Sequence, residues 1–314
     1  MTEVTTAMPV LAPQLQEIRL QAPDGDVTAT FLPSLNMVVS SLCHDGEELL
    51  LQVPDPTCYG TEGAIFGVPL LHPWSNRLGA LDYAVAGRRV VLDPSSPRLE
   101  LEEHGLPIHG LLNGYAGWRI RGRGEDCVVA ELDFGADPEL LAAFPFPHRL
   151  RLAALVDRGG LTIVTTLLPS PGVAVPVALG FHPYLRLPGA PRGAWRLELA
   201  ARQAALLDTR LVPTGGWIPV DPPIRGLLAH RAFDDLYTDF ARDPAFSMSA
   251  AGRTLAVRLL SGYRYAQLWA HPAQDVVSFE PMTAPGDALR TGRGLRVTRR
   301  PFRSAFRIEV RRDH

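Results

Sequence analysis

The chain has 314 residues, 46% of them hydrophobic and 20% charged, with a formal net charge of −2. That composition excludes a disordered chain and predicts a fold with a sizeable core. The near-neutral balance excludes the dominant basic face needed to capture nucleic acid or an anionic membrane, so neither is expected as a partner.

From the N-terminus, Met1-Thr2-Glu3-Val4-Thr5-Thr6 places an acid where a secretory leader carries basic residues, and no apolar core of sufficient length follows. No run of about eighteen apolar residues occurs later, and a cytoplasmic location is expected. Residues 1–15, with Pro9 and Pro13, read as a loose arm on a single domain that covers 1–314. β-Branched and apolar runs closed by Gly, Pro or Asp then predict strands over 27–32, 37–42, 128–134, 149–156, 161–168, 254–260, 267–270 and 304–310. Arg149 and Arg151 alternate with Leu150 and Leu152, and Arg303, Arg307 and Glu309 with Phe302, Phe306 and Ile308, as in strands with one wet face. Arg299 and Arg300 are read with them as the polar side of a last strand. Only 137–144 reads as helix, with Pro138 suited to a first turn. One short helix cannot cover a parallel sheet, so the fold class is all-β: a large antiparallel sandwich with few short helices.

Cys43, Cys58 and Cys127 are widely spaced, which implies neither a disulfide framework nor a paired-cysteine zinc site and fits a reducing compartment. His104 and His109 lie five apart, which matches no zinc pair, and Gly292-Arg293-Gly294 lacks the lysine of a phosphate loop. Neither a metal nor a nucleotide is expected.

Chemistry concentrates instead in short polar islands. Asn76-Arg77 follows the buried-looking run Gly67 to Ser75; Arg77 is read either as a donor to hydroxyls or as a loop staple paired with a carboxylate. His109, before Gly110, is placed on a loop rim, or is a satisfied, partly buried histidine. His182 lies between Phe181 and Pro183, with Tyr184 as an aromatic wall. In Phe233-Asp234-Asp235 one acid accepts from hydroxyls while the other caps a turn, or both are turn chemistry. Glu280 ends the apolar run Val276-Val277-Ser278-Phe279 before Pro281, where strand meets loop, and an apolar setting favours its neutral form enough to suit a general base.

The order of these islands resembles the aldose 1-epimerase, or galactose mutarotase, family. The resemblance is carried by Gly67-Val68-Pro69 with Asn76-Arg77, His109-Gly110 with Trp118, Gly180-Phe181-His182-Pro183-Tyr184, Phe233-Asp234-Asp235, Gln267-Leu268-Trp269 and Phe279-Glu280-Pro281. It implies an antiparallel β-supersandwich with an open sugar cleft, and cofactor-free interconversion of the α and β anomers of a free aldose. It makes Glu280 the general base and His182 the general acid, with Arg77, His109, Asp234 and Gln267 on sugar oxygens and Asn76 beside Arg77. Two departures, His72-Pro73-Trp74-Ser75 and the loop Leu111 to Gly117, leave the sugar open. The rival readings are a hexose-6-phosphate 1-epimerase, a glycosidase using Asp234 and Glu280, and a silent carbohydrate-binding protein. A monomer or homodimer is expected.

Overall fold

The computed structural model describes residues 15–56, 66–241, 243 and 245–313. The expected arm, apart from its last residue, and Cys58 lie outside the described residues; Cys43 and Cys127 are free thiols.

Two large antiparallel sheets form the body. The first has nine strands, in the spatial order Arg225–Leu227, Arg196–Leu199, Phe246–Ala250, Arg253–Ser261, Phe302–Arg312, Gly160–Pro169, His148–Asp157, Cys127–Asp133 and Arg119–Arg123. The second runs Pro213–Pro219, Ala201–Leu207, Phe233–Phe240, Tyr265–Ala270, Val277–Met282, Gly180–Phe181 and Leu70–Leu71, with Tyr184–Leu185 also pairing to Val277–Met282. A smaller sheet of Ile18–Gln21, Val27–Leu32, Val38–His44 and Glu47–Glu48 adds to them. The all-β antiparallel sandwich read from the sequence is therefore the fold of the chain, and each expected strand is present with ends moved by two residues at most.

Alternation explains why these segments pair. In His148–Asp157 the side chains of Leu150, Leu152, Ala154 and Val156 are buried while Arg149 and Arg151 stay outside. Arg151 answers its cross-strand neighbour Glu131, with Nη2 donating to Oε1 at 2.6 Å. Between the large sheets, Phe246 of the first stacks on Phe279 of the second at 5.1 Å between centroids, and Phe181 meets Phe306 at 4.9 Å. Burial of each such ring stabilises the fold by about 1.5–3 kcal/mol. The inner face of the second sheet is thus committed to the core, and its other face is left for chemistry.

The helix expected over 137–144 forms as Pro138–Ala143, capped by Asp137, whose Oδ1 accepts from the amides of Glu139 (2.8 Å) and Leu140 (3.2 Å). A second, four-residue helix, Ala288–Thr291, was not anticipated. Arg299 and Arg300 lie in a bend before the last strand, which begins at Phe302, so only Arg303 and Arg307 of the expected set belong to its polar side. No helix among the described residues is long and apolar enough to cross a membrane.

Candidate active site

The face of the second sheet turned away from the core carries the polar islands. Glu280 lies inside the strand Val277–Met282 rather than at its mouth, and Pro281 is within the strand too, a correction to the sequence reading. Proline is tolerated there because the neighbouring strand is interrupted: Gly180–Phe181 and Tyr184–Leu185 pair with Val277–Met282 on either side of a gap at His182-Pro183. The register on both sides, Gly180 opposite Met282 and Tyr184 opposite Ser278, sets His182 across from Glu280. The His182 amide turns outward to Pro69 O at 3.1 Å, and its imidazole turns to the carboxyl, Nε2 to Glu280 Oε1 at 3.2 Å. On the other flank Gln267 stands opposite Glu280.

Both members of the pair are nearly dry, with Glu280 1% and His182 5% exposed. Burial first, then the charge of Asp234, holds the Glu280 carboxyl well above the ordinary carboxylate range, opposed by Arg77. Burial, then His109, holds the His182 imidazole well below its usual value. Ser278 Oγ lies 2.9 Å from His182 Nδ1, which leaves Nε2 as the nitrogen that exchanges a proton with Glu280. Glu280 Oε2 has no hydrogen-bond partner among the described residues.

Around the pair the remaining islands converge. Gln267 Nε2 donates to Asp234 Oδ1 at 2.6 Å, and Arg77 Nη2 donates to Asp234 Oδ2 at 3.4 Å. Asp234 and Asp235 are both in the strand Phe233–Phe240, so neither caps a turn as one was expected to. Arg77 Nε donates to Glu102 Oε2 at 3.2 Å, so the carboxylate staple weighed for Arg77 exists alongside its contact with Asp234. Glu102 is itself fixed, its Oε1 accepting from the amides of His104 (2.9 Å) and Leu106 (3.2 Å). His109 meets the His182 ring edge-on at 5.2 Å, and burial, then Arg77, pushes its pKa down to about 3.

Backbone conformation brings the loops together. Asn76 (φ 56°) and His109 (φ 61°) both sit in the left-handed region, and the His109 amide donates to Asn76 O at 3.2 Å. Such conformations cost a non-glycine residue on the order of 1 kcal/mol each and persist where surrounding structure enforces them. Gly110, itself at φ 84°, lets the two loops pack closely, since a Cβ there would fall 2.2 Å from His72 O. The Asn76 Oδ1 accepts from the Arg77 amide at 2.7 Å, which assigns that atom to shaping the turn.

All seven residues singled out in the sequence, Asn76, Arg77, His109, His182, Asp234, Gln267 and Glu280, gather on this face through the contacts above. Sequence reasoning missed Ser278, Glu102 and Asp287. Ser278 had a signal, a polar residue two positions from Glu280 in an apolar strand. Asp287 donates its amide to Arg77 O (2.8 Å) and accepts from the Gly79 amide (2.7 Å), a loop contact across the chain that no local pattern announces. His182 also stacks on Tyr184 at 4.2 Å, with Trp269 edge-on at 6.1 Å, which makes the anticipated aromatic wall real.

Solved structures share this architecture. A galactose mutarotase-like protein from Clostridium acetobutylicum aligns with a TM-score of 0.83 at 15% identity, covering 95% of this chain and 96% of that one. A GalM/aldose epimerase homologue from C. elegans aligns at 0.79 and 15%, covering 96% and 100%. The galactose 1-epimerase of Lactobacillus acidophilus NCFM aligns at 0.75 and 15%, covering 96% and 100%. At these identities the likeness is one of fold, and no curated protein sequence matches the chain significantly. The family model for aldose 1-epimerase matches residues 38–300, most of the chain, and the protein belongs to that family.

Proposed function

We propose that the protein is an aldose 1-epimerase that interconverts the α and β anomers of a free aldose by ring opening and reclosure, with Glu280 as base and His182 as acid. The observation that carries this reading is the buried contact of His182 Nε2 with Glu280 Oε1 at 3.2 Å. Anomer exchange takes a proton from the C1 hydroxyl and gives one to the ring oxygen. Glu280 as carboxylate accepts the first, and His182 as imidazolium donates the second. The C1–O5 bond breaks, the aldehyde rotates about C1–C2, and reclosure on the other face returns both protons to their origin. General acid and base catalysis each supply about 10²–10⁴-fold.

Arg77, His109, Asp234 and Gln267 are assigned to the sugar oxygens, with Asn76 shaping the turn that presents Arg77. In support, Asp234 and Gln267 fix each other and Arg77 fixes Asp234, so the donors and acceptors are oriented before a sugar arrives. One hydrophobic core that takes in both large sheets supports treating the chain as a single sugar-binding domain.

Polarimetry of freshly dissolved α-glucose, α-galactose and other aldoses tests the proposal. Decay of rotation faster than in buffer alone is expected for at least one free sugar. Sugar binding with an unchanged rate would mark a silent binding protein, acceleration confined to 6-phosphorylated sugars a phosphosugar epimerase, and release of sugar from an aryl glycoside a glycosidase.

A further inference from the structure

Along the strand Tyr265–Ala270, the side chains of Tyr265, Gln267 and Trp269 alternate onto the face that carries Glu280. Trp269 belongs to the wall around His182 and Tyr184. Tyr265 lies on the opposite side of Gln267, and its ring stacks on that of Trp217 at 5.9 Å between centroids with 29° between planes. Trp217 comes from Pro213–Pro219, the edge strand of the sheet, where it pairs with Ala205. Both rings are only half-buried and neither is part of the hydrophobic core. The proposed reaction on a single sugar ring makes no use of them.

A partly open aromatic pair beside a hydrogen-bonding cluster is a wall for the C–H face of a pyranose, which is apolar although its rim is not. Tyr265 lies about 7 Å from Gln267 along the strand, and Gln267 about 5 Å across from Glu280. The aromatic pair therefore begins roughly one sugar ring from the reacting centre. The geometry points to a second sugar subsite on Trp217 and Tyr265, which makes the reducing end of a disaccharide or longer oligosaccharide the preferred substrate class. This inference rests on Glu280 and His182 being the anomerising pair.

The test compares wild type, Trp217→Ala and Trp217→Phe on glucose, maltose, cellobiose and lactose, by polarimetry and by calorimetric binding. Wild type is expected to have a higher kcat/KM for at least one disaccharide than for glucose. Trp217→Ala should lower that value about three- to tenfold through KM while leaving glucose unchanged, and Trp217→Phe should restore most of it. An equal effect on glucose and the disaccharides, or no effect on any sugar, overturns the subsite. If no sugar is anomerised faster than in buffer, the catalytic reading fails, and calorimetry decides the subsite separately. Disaccharide binding that is tighter than glucose binding and weakened by Trp217→Ala sustains it; equal or absent binding ends it.

Discussion

His182 faces Glu280 across the one interruption in their strand pairing, with Nε2 3.2 Å from Oε1 and both groups almost wholly buried. Burial disfavours the charged form of each, raising the Glu280 carboxyl and lowering the His182 imidazole, which favours a carboxylic acid beside a neutral imidazole over an ion pair. Moving that one proton from Oε1 to Nε2 gives the carboxylate and imidazolium that anomer exchange requires, with no proton gained or lost. Arg77 favours the Glu280 carboxylate, and in the proposed reaction sugar hydroxyls reaching the site add to the ionised arrangement. In the proposed reaction that shared proton is the one that primes the pair.

Replacing Glu280 by Gln keeps the shape and removes the base. Mutarotation should fall by at least about 10²-fold while calorimetric sugar binding stays close to wild type. Stability should move the other way. A carboxyl whose folded pKa is raised contributes stability that is present below its unfolded pKa and lost as pH rises through the folded one. The variant has no such loss, so it should melt above wild type at alkaline pH, with the gap closing toward acid, each unit of elevation being worth about 1.4 kcal/mol. A variant with full activity would remove Glu280 from the reaction.

The rate should depend on pH as a bell belonging to the pair. A second proton binds only below the depressed pKa of His182, and the shared proton leaves only above the raised pKa of Glu280. The plateau of kcat/KM should accordingly continue to the acid side of 6.5, the ordinary histidine value, before the rate falls. An acid limb centred on 6.5 would show that His182 titrates as an exposed imidazole and would contradict the buried pair.

Ser278 and Asp287 should separate chemistry from binding. Ser278→Ala removes the partner of His182 Nδ1. A net hydrogen bond of about 1 kcal/mol predicts roughly a fivefold loss in kcat with KM little changed. Asp287→Ala keeps the backbone bond to Arg77 O but removes the carboxylate that holds the Gly79 amide, loosening the loop two residues beyond Arg77, and should act mainly on KM; Arg77→Ala should raise KM further and lower the rate as well. Steady-state kinetics on any sugar whose mutarotation the protein accelerates distinguishes the two patterns.

Periodicity made the strands legible: Leu150 and Leu152 alternate with Arg149 and Arg151 regularly enough to show which face turns inward, while the register came only with the structure. Periodicity could not show that His182-Pro183 interrupts a strand opposite Glu280-Pro281, because proline reads locally as an end. Proline likewise sets Glu280 at a strand mouth, and paired aspartates read locally as a turn, yet Glu280 and Asp234-Asp235 all lie inside strands. Tertiary pairing overrode the local signal in each case. Asn76, Arg77, His109, His182, Asp234 and Glu280 could be named because each stands in a polar island between apolar runs, whereas Gln267 came only with the family resemblance. The ties that orient them, Glu102 and Asp287 to Arg77, join segments with no local relationship and had no signature.

A second histidine pair, away from the proposed chemistry, should govern acid stability. His72 and His148 are fully buried with Nε2 atoms 2.9 Å apart, among Phe134, Phe144 and Phe146. His148 Nδ1 lies 2.6 Å from Phe146 O, so it carries the proton, which makes His148 Nε2 the acceptor and His72 Nε2 the donor. Both must be neutral to fit, and burial takes His148 down to about 4 and His72 well below its usual value. Histidines with depressed folded pKa values contribute stability that is present above 6.5 and lost as pH falls toward the folded value, on the order of 3 kcal/mol for His148. The melting temperature should therefore drop between pH 7 and pH 5. His148→Gln, which supplies an uncharged acceptor near the Nε2 position, should lessen that drop, and an unchanged slope in the variant would place the acid sensitivity elsewhere.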